Sequence, residues 1–202
     1  KINQNKSNII LIYGENEGLK NNILDNLIKD KNNIFKYEEK DILDNNNEFI
    51  ESIYSKSLFE DKKNVIIKRG TDKILKTVEE ILEKKIEDLN LIINSNNLEK
   101  RSKLRSFFEK DKNLICIPVY ADNLQTITKL ASNFFKDKNI SISQSNINLI
   151  VSKSNGDREI LFNELLKIEH YCINGKKLNE EIIQQLINLS QDYSISELVD
   201  NC

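Results

Sequence analysis

The sequence predicts an α/β fold: an open parallel sheet with helices on both faces, followed by a small all-helical unit. Three observations carry this. Asn8-Ile-Ile-Leu-Ile-Tyr13 is a continuous apolar run, the mark of a central parallel strand covered on both faces. Further short apolar runs follow, each separated from the next by a stretch of helical period. After Tyr120 the alternation stops, and from Asn123 onward only helical periods appear.

In chain order, the first strand runs into a turn from Gly14 to Gly18. The helix after it carries Leu19, Ile23, Leu24, Leu27 and Ile28 on one stripe. Asn33-Ile-Phe-Lys-Tyr37 reads as a second strand. A helix over 46–58 follows, with Phe49, Ile50, Ile53 and Tyr54 on one face. Val65-Ile66-Ile67 is a β-branched run inside a strand over 64–68. Ile74, Leu75, Val78, Ile81, Leu82, Ile86 and Leu89 keep helical period. Leu89-Asn-Leu-Ile-Ile93 is the next buried strand, Leu98 to Lys110 a basic amphipathic helix, and Leu114-Ile-Cys-Ile-Pro-Val119 the fifth strand. In the second half, helices are predicted around Leu124–Phe135, Ile147–Val151, Ile160–Ile168 and Glu180–Leu189. Asp157 is placed to cap one of them, and Asn174-Gly175 to close it. The divisions this predicts are 1–120, 121–190, and a last piece, 191–202, in which Ser194-Ile-Ser-Glu-Leu-Val-Asp200 starts one more helix.

Composition narrows the function classes. Of 202 residues, 39% are hydrophobic and 31% charged, yet the apolar ones are periodic, so a packed core is expected rather than disorder. The formal net charge of −2, with both signs mixed, gives no global basic field for nonspecific nucleic-acid binding. Three separated cysteines and one histidine do not make a zinc site. No apolar run approaches the roughly 18 residues needed to cross a bilayer, and no signal peptide is visible. Methionine is absent, even at the first position. The expectation is a fragment, a trimmed piece, or a sequence from which modified methionines have dropped out.

The turn after the first strand is where a phosphate-binding loop would sit. That loop needs GxxxxGK[ST]: glycines let backbone amides wrap the phosphates, the lysine neutralises them, and the hydroxyl holds magnesium. Here the stretch is Gly14-Glu-Asn-Glu-Gly18-Leu19-Lys20-Asn21, one residue short, with no Ser or Thr after Lys20. Glu15 and Glu17 put negative charge where an anion would dock. It reads as a phosphate-loop position without phosphate chemistry. No nucleophile with a placed base is suggested, and His170 beside Tyr171 reads as a surface or packing residue.

Two other stretches stand out. Ser57-Leu58-Phe59, at a helix end, is followed at once by Glu60, Asp61, Lys62 and Lys63. Its two large apolar side chains either close the helix into the core or project as a contact site. Lys100, Arg101, Lys103 and Arg105 form a local basic patch, either a solvated helix face or a contact to a phosphate backbone.

Five ordered stretches resemble one family. They are Leu11-Ile-Tyr-Gly14 with its acidic loop; Ser57-Leu-Phe59 running into a strand; Lys100-Arg-Ser-Lys-Leu-Arg105; Gly156-Asp157 with Asn163-Glu-Leu-Leu-Lys167; and Ser194-Ile-Ser-Glu-Leu-Val-Asp200. The order is similar to that in the delta subunit of the bacterial DNA polymerase III clamp loader. The resemblance implies an AAA+-like (P-loop-NTPase-like) first domain without a functional P-loop, a helical lid domain, and the start of a truncated collar domain. It implies a cytoplasmic subunit with no ATPase activity and no cofactor. Its partners would be the sliding clamp (beta subunit), the gamma/tau and delta prime subunits through the collar, and primed DNA in the assembled loader. For Ser57, Leu58 and Phe59 it selects the second alternative, the clamp contact. The competing reading is a P-loop-like nucleotide-binding protein or NTPase, supported only by strand-Gly-loop-helix over 8–28. A sister delta prime subunit is disfavoured, because the cysteine cluster and Ser-Arg-Cys that such subunits tend to carry are absent.

Overall fold

The computed structural model describes residues 8–28, 33–54, 63–86, 88–173, 175–176 and 178–188. The chain divides into two compact units, Lys1–Tyr120 and Ala121–Cys202.

The first unit is built on β1 (Asn8–Gly14), β2 (Ile34–Glu38), β3 (Lys63–Lys68), β4 (Leu89–Ser95) and β5 (Ile115–Val119). They lie in the order β2-β3-β4-β1-β5, and every pairing is parallel. Alternation along each strand sends side chains to opposite faces. Leu11, Val65, Ile67, Leu91 and Ile93 pack on one face with Phe49, Ile53, Val78, Ile81, Leu104 and Phe108. Those six come from α3 (Asn46–Tyr54), α4 (Leu75–Lys84) and α5 (Lys103–Lys110). Ile10, Ile12, Ile66 and Ile92 face the other way, against Leu19, Ile23, Leu24 and Leu27 of α1 (Glu17–Leu27). Because both faces are covered, the central strands carry no polar side and read as unbroken apolar runs.

The amino ends of the three central strands are registered by a polar ladder. The Asn8 amide donates to Asn90 Oδ1 (3.0 Å), and the Asn90 amide donates to Asn64 Oδ1 (2.9 Å). The three residues are direct cross-strand partners, so a slip of one position would break both bonds.

Three boundaries differ from the sequence reading. A short helix, α2 (Glu39–Asp44), follows β2 directly; only Ile42 of its six residues is buried, too little to give a periodic signal. Asp72–Ile74 forms a 3-10 turn before α4, and the helix stops where Lys85 turns left-handed (φ 46°). The basic helix expected from Leu98 begins only at Lys103. Ser102 is its N-cap, accepting from the Arg105 amide, so Lys100 and Arg101 lie in the preceding turn.

The second unit packs α6 (Leu124–Asp137), α7 (Gln144–Lys153), α8 (Arg158–Cys172) and α9 (Glu180–Asn188) around Ile127, Phe135, Ile150, Leu161, Leu165 and Ile183. Each helix opens on a short polar side chain that accepts from its first-turn amides: Asn123, Ser143, Asp157 and Asn179. Asp157 caps α8 as the sequence predicts. Of the Asn174-Gly175 stop, Asn174 lies outside the described residues, while Gly175 takes φ 71° and donates its amide to the Cys172 carbonyl. Asp122 and Arg158 form a buried two-point ion pair, Nε to Oδ2 at 2.8 Å and Nη2 to Oδ1 at 2.5 Å. It ties the residue just before the α6 cap to the first residue of α8.

Candidate functional site

In open parallel sheets, ligands bind beyond the carboxyl ends of the strands. That crest is assembled here from the β1–α1 turn, the ends of β2, β3 and β4, and the segment leading into α5.

Gly14 ends β1 under the end of β5. Its φ is 140°, and a Cβ there would sit 1.8 Å from the Val119 carbonyl oxygen, so only glycine fits. Asn16 caps α1: its Oδ1 accepts from the Leu19 amide (2.9 Å) and its carbonyl from the Lys20 amide (3.0 Å). The Glu17 amide donates to the Glu15 carbonyl. These amides, which in a phosphate loop would face the ligand, are therefore bonded within the turn.

Lys20 does not reach outward. Its side chain is 1% exposed, and its ammonium donates to the Ser95 carbonyl at the end of β4 (3.1 Å) and pairs with Glu17 (2.5 Å). A buried ammonium is tolerated only when paired and hydrogen-bonded, and both conditions are met from inside the chain. Beside it, Asn21, Asn94, Asn96, Lys68 and Arg69 line a polar cavity of about 290 Å3, with Glu17 and Glu38 supplying its carboxylates. Glu38 pairs with Arg69 (2.9 Å) and, more distantly, with Lys68 (3.8 Å). The neighbouring Glu39 accepts from the Thr71 amide and hydroxyl.

The basic patch is split by its geometry. Arg105 is engaged internally: Nε donates to Glu109 (2.8 Å), Nη1 to the Leu98 carbonyl (3.2 Å), and the guanidinium lies over the Tyr13 ring. The Glu109 bond pushes its pKa up, and burial raises that of Tyr13 against the opposing effect of Arg105. Lys100, Arg101 and Lys103 are exposed, with Arg101 paired to Glu99. The start of α5 already holds an anion. Asp72 Oδ1 accepts from the Ser102 hydroxyl (2.6 Å) and the Leu104 amide (3.0 Å), and the Ser102 bond holds its carboxyl below the usual carboxylate range. A phosphate approaching this patch would meet side chains, not helix-end amides.

Ser57, Leu58 and Phe59 lie outside the described residues. His170 is exposed on α8. Burial pushes the Cys116 thiol up to about 11 and raises that of Cys172. Among the described residues, no group of three or more His, Cys, Asp or Glu is placed to hold a metal ion, and no helix is long and apolar enough to cross a membrane. Sequence reasoning missed the Asp72 cap and the Asp122–Arg158 pair, whose partners stand 30 or more residues apart. It saw Glu17 as repelling an anion, but not that Glu17 neutralises Lys20.

The structure is similar to that of the Bacillus subtilis DNA clamp loader delta protein (TM-score 0.59, 15% identity, covering 96% of this chain and 61% of that one). It is also similar to the Thermotoga maritima RuvB Holliday junction branch migration motor (TM-score 0.58, 13% identity, 90% and 61%). Domain III of the Thermotoga maritima replication initiation protein DnaA matches with TM-score 0.51 and 14% identity, covering 89% of this chain and 83% of that one. At these identities the likeness is one of fold, the AAA+-like α/β arrangement. The chain spans about six tenths of the length of the delta protein and of RuvB. No curated protein matches in sequence. The family described as "DNA polymerase III, delta subunit" matches residues 11–118, more than half of the sequence, and the chain belongs to that family.

Proposed function

We propose that this chain is the non-ATPase clamp-loader subunit of DNA polymerase III that binds the sliding clamp and helps to open it for loading onto primed DNA. The observation that carries the reading is the family match over 11–118, a span that includes Ser57, Leu58 and Phe59. On this reading Leu58 and Phe59 are the apolar anchors, with Ser57 before them. Fully burying one such side chain is worth about 1.5–3 kcal/mol, so two adjacent anchors make a compact hot spot. A binder opens a ring only by preferring its open form, and the shift cannot exceed that difference in affinity. No covalent chemistry is asked of this subunit.

The inward lysine supports a chain without ATPase activity. A nucleotide phosphate at the β1–α1 turn would have to break the Lys20–Glu17 pair and displace a carboxylate before gaining a cation. This argues against the P-loop NTPase alternative. The exposed Lys100, Arg101 and Lys103 are proposed as backbone contacts to DNA in the assembled loader, with Arg105 holding the segment in place through Leu98. Residues 1–120 serve as the AAA+-like domain, 121–190 as the lid and 191–202 as the start of a collar that joins gamma/tau and delta prime, in the cytoplasm. Residues 189–202 lie outside those described.

The test is a pull-down of the cognate beta clamp by the wild-type chain and by L58A/F59A, alongside a circular-dichroism melt. The expected result is lost clamp capture with an unchanged melt. Retained capture, or a double variant that melts far below wild type, overturns the assignment of these two residues.

A further inference from the structure

We propose that Glu17 is a built-in anion, whose carboxylate blocks a latent phosphoanion site formed by Lys20 and the polar cavity at the carboxyl ends of β3 and β4. The inference does not depend on clamp binding.

Three observations converge. First, the Lys20 ammonium is completely buried, yet it is reached from outside through Glu17, which is 55% exposed and sits 2.5 Å from it. Second, Glu17 also lines the cavity, so the residue that pairs with the ammonium borders the open space. Third, what lines the remainder of that cavity suits an oxyanion: the amides of Asn21, Asn94 and Asn96 and the cations of Lys68 and Arg69. The cavity's two cations, Lys68 and Arg69, are matched by its two carboxylates, Glu17 and Glu38, and Lys20 adds a third cation bonded to Glu17. Glu38 pairs with Arg69 and Lys68, and among the described residues Glu17 is the charge partner of Lys20.

Removing the negative charge from Glu17 while keeping its shape would leave the buried ammonium with neutral oxygen acceptors, such as the Ser95 carbonyl, and no counter-charge from Glu17. An uncompensated buried charge is strongly unfavourable, and an external anion of the right size would relieve it. Inorganic pyrophosphate is the probe, because it carries several oxygens able to meet Lys20 and the cavity amides together. The wild type has no such vacancy and is expected not to respond.

The experiment compares thermal melts of the wild type, E17Q, E15Q and E17Q/K20M with and without pyrophosphate. Glu15 is the control for charge alone: it accepts from the Asn97 amide and does not touch Lys20. The expected result is that E17Q melts below wild type and is raised by about 3–5 °C at tenfold excess over its Kd. The wild type, E15Q and E17Q/K20M should not move. The proposal is overturned by an E17Q that pyrophosphate does not stabilise, by a wild type or E15Q that shifts as much as E17Q, or by persistence of the shift in E17Q/K20M.

Discussion

Arg158→Met offers a direct measure of how far the helical unit depends on one ion pair. Arg158 and Asp122 keep side-chain exposures of only 9% and 5%, and two hydrogen bonds join them in the fork geometry that favours arginine. Methionine keeps much of the volume and removes the charge, taking both guanidinium bonds from a carboxylate that has almost no contact with water. Breaking a buried pair from one side costs about 3–5 kcal/mol. Against a typical domain stability of about 5–15 kcal/mol, that is about a fifth of the total or more. Replacing both partners is different, because neither charge of the pair remains. D122L/R158M is therefore expected to recover at least about half of the R158M loss, roughly 1.5–2.5 kcal/mol, and the coupling energy exceeds that recovery by whatever D122L costs alone. Urea unfolding followed by circular dichroism gives the free energies. Amide hydrogen exchange over Leu124–Asp137 and Arg158–Cys172 shows whether the loss falls on the two helices that the pair ties together. A cost below about 1 kcal/mol for R158M, or single-site losses that simply add in the double variant, would refute the reasoning.

Asp72→Ala removes the acceptor shared by the Ser102 hydroxyl and the Leu104 amide, and should cost about 1–2 kcal/mol at pH 7. Because the fold lowers this carboxyl's pKa, its contribution is complete above the unfolded value and fades as pH falls through the folded one. Wild type and variant should accordingly converge below about pH 4 in paired urea titrations; a gap that is unchanged at pH 3 would contradict the assignment. Gly14→Ala should destabilise by at least about 2 kcal/mol, since the new Cβ meets a backbone carbonyl at 1.8 Å. Gly156→Ala, with φ 79° and nothing within 4 Å, should cost only about 1 kcal/mol, so thermal melts of the pair separate crowding from backbone preference.

The strands were legible because burial on both faces leaves a simple signature. Ile10, Leu11 and Ile12 are apolar without interruption, and no helix needs such a run. The all-helical second half was legible for a similar reason: its period is long and its caps are local. Asp157 reaches only the Glu159 and Ile160 amides, two and three residues on. What stayed hidden is short or remote. A six-residue helix with one buried isoleucine has no period to detect. The sequence reads as one basic amphipathic helix from Leu98 to Lys110, whereas the Ser102 cap starts the helix at Lys103. The Lys20–Glu17 spacing of three is visible in the sequence and normally marks a solvated surface pair. Only the Ser95 carbonyl, 75 residues away, shows that the lysine is drawn inside. The clamp-contact residues were singled out by pattern and resemblance, and lie outside the described residues.

The crest of the sheet shows why a likeness of fold need not imply a likeness of chemistry. An NTP site requires unmet demand: amides without acceptors, a cation without a counter-charge, a carboxylate waiting for magnesium. Here the Glu17, Leu19 and Lys20 amides are bonded within their own turn, and Lys20 has Glu17. The end of β3 and the residue after it are Lys68 and Arg69, of the wrong sign to hold a metal and already paired with Glu38. Asp72, the carboxylate that follows, is spent on the start of α5. Any ligand at this crest must displace an internal partner of comparable strength, so the net gain is small however well it fits. The sheet keeps the geometry of a binding site while the charges of Lys20, Lys68 and Arg69 are answered from within.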